Sequence, residues 1–66
     1  MRDITINLVG DNGAVVESEN FKINDNDFHR RFHEECYDRI YTASGRAENI
    51  HHLRSYQVVM EVRPTH

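Results

Sequence analysis

Between Asp27 and Ser44 the side chains repeat every four residues in two adjacent rows. Phe28, Phe32, Cys36 and Ile40 form one row, and His29, His33, Tyr37 and Tyr41 the other. At about 100° per residue these rows cover most of a helix circumference, and the charges fall in the remaining arc. One amphipathic helix must therefore hide its apolar row against something else in the chain.

The flanking segments supply a sheet. Ile4, Ile6 and Leu8 alternate with Thr5, Asn7 and Val9, the signature of a strand with one apolar face. Gly10-Asp11-Asn12-Gly13 follows, and Asn-Gly is a strong hairpin signal because both residues tolerate positive φ. It lacks the lysine of a phosphate loop and the ligand spacing of a calcium loop. Residues 14–23 read as the return strand. Val15, Phe21 and Ile23 share a parity, but so do Glu17 and Glu19, which suggests a bulge within 17–20 or a strand overrunning its partner. Tyr56, Val58, Met60 and Val62 alternate with Gln57, Val59, Glu61 and Arg63 in a third strand that Pro64 ends.

Asn24, Asp25 and Asn26 offer caps for the helix start, and acidic side chains suit its positive end. Arg30 with Glu34, Arg31 with Glu35, and Glu35 with Arg39 stand four apart and can pair. Gly45 reads as the C-cap. Residues 47–55 fit either another helical turn or a structured loop.

The order β-β-α-β over residues 1–66 predicts a single α+β domain. Its three-stranded sheet has order 2-1-3, with the helix on one face and a right-handed crossover. The open face is expected to carry Val9, Val16 and Val59.

Sixty-six residues bury only about 60% of the unfolded surface, so such domains need a supplement such as a disulfide, a metal or a partner. The single cysteine, Cys36, cannot form an intrachain disulfide, and a lone thiol suits the reducing cytoplasm. No apolar run approaches a membrane span or a signal-peptide core. Small size and unblunted edge strands together point to a homodimer.

The net charge of −3 opposes phosphate-led binding of duplex DNA. Seven arginines stand against one lysine, Lys22, a bias that fits either genome composition or interfaces, where guanidinium forks pair and stack.

The helix side chains are compatible with three chemistries. His29, His33 and Cys36, with His51 and His52, offer zinc ligands. However, His29 and Cys36 lie about 10 Å apart along the axis, and no Cys-x2-Cys pair is present. His33-Glu34-Glu35-Cys36 lacks the second histidine of a zincin motif. A thiol on an apolar helix face is ordinarily buried and inert, and a chain this short has little room for a substrate pocket. No enzyme and no cofactor are expected.

His33, Tyr37 and Tyr41, beside Arg30 and Glu34, instead form a row at the border of the apolar face. Tyrosine and arginine are enriched at interface hot spots, although rim tyrosines look the same in sequence. The expectation is a small non-enzymatic module that binds another protein through Arg30, His33, Glu34, Tyr37, Tyr41 and Arg46. Such a module would act as a regulator or inhibitor of the kind bacteriophages encode. The alternatives are a zinc-stabilised module, or an acidic regulator that stacks single-stranded bases on Phe21 and Tyr56.

Overall fold

The alternating residues of the first strand form the middle of the sheet. In the computed structural model, which describes residues 1–65, β1 (Arg2–Val9) lies between β2 (Val15–Ile23) and β3 (Gln57–Pro64) and is antiparallel to both. Ile4, Ile6 and Leu8 point to one side and are fully buried. A strand with neighbours on both sides has no free edge, so its apolar face is the natural centre of a small core. The fold is the expected α+β domain with strand order 2-1-3.

The β1–β2 turn differs from a two-residue hairpin. Gly10 N–H donates to Ala14 O at 3.0 Å, and Gly13 N–H donates to Gly10 O at 2.9 Å. Only Gly13 takes a positive φ, of 81°, while Asn12 uses its Oδ1 to accept from Ala14 N–H. This is a three-residue loop closed by a left-handed glycine.

The extra residue in β2 is Val16, at the hairpin end rather than within 17–20. Leu8 faces Glu17 and Val9 faces Val15, so Val16 is the residue passed over. Val16 packs against the core and does not belong to the open sheet face. From Glu17 onward the odd-numbered residues of β2 lie opposite Leu8, Ile6, Ile4 and Arg2 and turn to the helix side. Glu17 and Glu19 therefore share a face with Phe21 and Ile23 by register.

Asn24 opens the helical segment: its Oδ1 accepts from Asn26 N–H in a 3-10 turn over Asp25–Asp27. The helix α1 (Phe28–His51) runs straight through Gly45, which is not a cap. The correction has a packing cause. Ala43 and Ala47 are fully buried against the sheet, and tertiary burial outweighs the roughly 1 kcal/mol penalty of one glycine. The stop falls at His52, a left-handed residue (φ 55°, ψ 32°), where Leu53 N–H reaches back to Ala47 O at 3.0 Å. Tyr56 then pins the return segment to the helix, donating its hydroxyl to Ser44 Oγ at 2.6 Å.

α1 packs on β2 and β1, not centrally on the sheet. The core is Ile4, Ile6, Leu8, Phe21, Ile23, Cys36, Ala43 and Ala47, with Phe28, Phe32, Ile40, Leu53 and Tyr56 packed around it. No residue of β3 belongs to it, and every β3 position is exposed. The sheet face away from the helix is polar. Asn20 Nδ2 donates to Asp3 Oδ1 (2.7 Å) and Thr5 Oγ1 (2.9 Å), and Ser18 Oγ donates to Asn7 Oδ1 (2.7 Å).

Candidate functional site

The off-centre seat of α1 leaves a step along one side of the helix. Phe32, His33, Cys36, Tyr37 and Ile40 form its wall and Met60 its floor, around a cleft of about 300 Å³. Val58 and Val62 flank Met60 on the same side of β3, because they pair in register with Leu8 and Ile4. Val58, Met60 and Val62 are 39%, 42% and 39% exposed, and Tyr37 and Tyr41 stand out at 65% and 74%. Apolar floor, aromatic rim and imidazole thus meet along one flank of the molecule.

The residues singled out from the sequence divide over this geometry. His33 and Tyr37 line the cleft. Tyr41 stands one helical turn beyond Tyr37 and is exposed. Arg30 and Glu34 are exposed on the same helix, with the Arg30 guanidinium held to Asp27 at 2.7 Å.

Arg46 lies elsewhere. Nine residues after Tyr37, at about 100° each, it sits half a circumference away. It reaches over β2, where Nε meets Glu17 Oε1 at 3.0 Å and Nη2 meets Glu19. Arg39 joins the same cluster, 3.2 Å from Glu19 and over the Phe21 ring at 5.1 Å. His51 Nε2 stands 3.8 Å from Glu17. The Arg46 hydrogen bond, reinforced by Arg39, holds the Glu19 carboxyl below its ordinary value against the opposing cost of burial, and Glu19 with Glu17 raises Arg46. The sequence signal for this cluster was the parity of Glu17 and Glu19 with Phe21: two carboxylates on a core-facing row need cations opposite.

Cys36 is buried, and its thiol lies 3.9 Å from Met60 Sδ. Burial, with Glu35 nearby, pushes the thiol above its ordinary value of 9.0. A maleimide or disulfide reagent at neutral pH is therefore expected to label native protein far more slowly than urea-unfolded protein. Equal rates would place Cys36 at the surface.

The histidines and cysteine considered for zinc are spread along the helix. Among the described residues no three of His, Cys, Asp or Glu come together as a metal site. His51 lies 18 residues along the same helix from His33, a separation of about 27 Å. Of the two residues considered for base stacking, Phe21 is buried beneath α1, and Tyr56 is half-buried with its hydroxyl tied to Ser44. A second hollow of about 350 Å³, lined by Glu48, Asn49, His52 and Arg54, is polar and mixed in charge. No helix is long and apolar enough to cross a membrane among the described residues.

Comparison with protein-family models, with curated proteins and with solved structures finds no match to this chain.

Proposed function

We propose that this chain is a non-enzymatic protein-binding module of the cytoplasm that regulates or inhibits a target protein by docking it along the α1 flank. The anchors are Tyr37 and Tyr41, with His33 at the cleft, and Arg30 and Glu34 set the approach. Arg46 is left out of the contact set because its fork is engaged on β2.

One observation carries this reading. Two tyrosines, each about two-thirds or more exposed, stand beside an apolar cleft in a chain whose core holds few large side chains. Aromatic side chains bordering an apolar floor are what interface hot spots are made of, and contiguous exposed apolar surface marks contact sites.

The test captures proteins by in-cell crosslinking to the wild type, Tyr37→Ala and Tyr41→Ala, with thermal midpoints measured in parallel. A target held by the wild type should be weakened about tenfold or more by either substitution, the scale of one hot-spot residue, with midpoints nearly unchanged. Unchanged capture by both folded variants would move the contact surface elsewhere. Loss of folding in both would make the tyrosines structural.

A further inference from the structure

The free edge of β3 is a second surface, adjoining the tyrosine flank at Met60, and its hydrogen-bonding pattern is fixed by the structure. Arg2 faces Pro64, so Met1 faces Thr65, and Thr65 N–H donates to Met1 O at 2.9 Å. That contact marks a hydrogen-bonded pair of the antiparallel ladder. By alternation, Arg63, Glu61, Val59 and Gln57 turn their backbone groups towards β1. Val62, Met60 and Val58 turn theirs outward. The opposite edge agrees: Gly10 N–H donates to Ala14 O, so even-numbered residues of β1 serve β2 and odd-numbered residues serve β3.

The two sheet edges are treated differently. β2 has the usual guards against pairing: a bulge at Val16, a lysine at position 22, and helix-side carboxylates at Glu17 and Glu19. Over Val58–Val62 β3 has no bulge, no lysine and no helix-side charge; its one charge there, Glu61, lies on the polar face, and Pro64 guards the last position. Proline 64 lacks an N–H on the outward side, so pairing is blocked at that end only.

We propose that β3 is a dimerisation edge, and that its occupant is β3 of a second copy in antiparallel pairing about a two-fold axis at Met60. A two-fold axis normal to the sheet keeps both helices on one face and lets a residue pair only with one of its own parity. Four registers satisfy this near the strand centre. The axis at Val59 sets Val62 against Tyr56, which lies before the strand and is tied by its hydroxyl to Ser44 on the helix. The axis at Glu61 sets Glu61 directly against its copy, and like charges directly opposite destabilise. The axis at Val62 sets Met60 against Pro64, which has no N–H to return.

The axis at Met60 sets Val58 against Val62 and Met60 against itself. Every outward N–H and C=O of Val58, Met60 and Val62 then finds a partner. On the polar face Val59 meets Glu61 and Gln57 meets Arg63, with no like charges opposed. The sheet becomes six strands. The two clefts, each floored by Met60, adjoin at the axis as one groove between the helices.

The test uses the whole chain, with subunit count by native mass spectrometry and amide exchange by NMR at increasing protein concentration. The expected result is a metal-free dimer in which the Val58, Met60 and Val62 amides gain protection as the dimer fills. The Val59, Glu61 and Arg63 amides should be protected throughout. Val62→Pro removes an amide that β1 does not use. It should raise the dimer dissociation constant by about tenfold or more, since one hydrogen bond per copy is lost. Tyr37→Ala should leave the dimer intact. A monomer at all concentrations overturns the proposal. So does a dimer in which these three amides stay unprotected, and loss of that dimer in Tyr37→Ala would show that the copies meet through the helix flank instead.

Discussion

Ile6→Ala is expected to unfold this protein at or near room temperature. Ile6 is fully buried on the central strand, with Glu19 opposite it on β2 and Met60 opposite it on β3. By register it stands between the part of the sheet that α1 covers and the part it leaves open. Removing it costs the transfer free energy of the lost methyl groups plus the cavity they leave, about 2–5 kcal/mol. A domain this short has total stability of only a few kcal/mol. For a chain of 60–100 residues each kcal/mol is worth about 4–8 °C, so the thermal midpoint should fall by at least 10 °C or so. Circular dichroism melts of wild type and variant check this. A fall of only a few degrees would mean that Ile6 is not where the core is concentrated.

Arg46→Ala should be the most damaging substitution outside the apolar core. Arg46 is partly buried and serves two carboxylates, Glu17 and Glu19, whose side chains are largely covered. Without the guanidinium both carboxylates keep the cost of burial and lose their principal partner, a change worth about 1–3 kcal/mol. An exposed ion pair would be worth less than about 1 kcal/mol, so the size of the loss reports how far the cluster is withdrawn from water. Urea unfolding measures it.

The same cluster sets an acid dependence. The folded-state value of Glu19 is depressed, so its contribution is present above its ordinary value of 4.5 and is lost as pH falls through the depressed folded value. Wild-type stability should therefore decline as the pH drops below about 4.5. Glu19→Gln should be less stable than wild type at pH 7, with the difference closing in acid. A constant difference from pH 7 to pH 3 would show that the pairing does not couple to folding.

Arg46 also shows how far sequence patterning reaches. Its neighbours in sequence suggested a place with the tyrosines after a helix stop at Gly45. Because the helix continues to His51, Arg46 is carried to the opposite side and onto β2. A C-terminal glycine is a local signal. What overrode it, the burial of Ala43 and Ala47, is a tertiary contact that no window of the sequence contains. The carboxylates of β2 were visible as a parity anomaly, but their cations lie 20 to 29 residues further along the chain. The bulge was legible as a need and not as a position, because a slip at Val16 and one within 17–20 produce the same alternation over Phe21 and Ile23.

By itself the sequence determined the elements and their order. Period-two and period-four apolar patterns, a glycine-bearing turn and an asparagine cap are local consequences of backbone geometry, and they placed three strands, one helix and the central position of β1. Only the tertiary structure decided where along the sheet the helix sits. That lateral position depends on which side chains fit beneath it, on small Ala43 and Ala47 and on the Glu17–Glu19–Arg46 cluster drawing it over β2. By drawing the helix one way, packing left Met60 and its neighbours on β3 uncovered and turned a row of helix residues into the wall of a cleft.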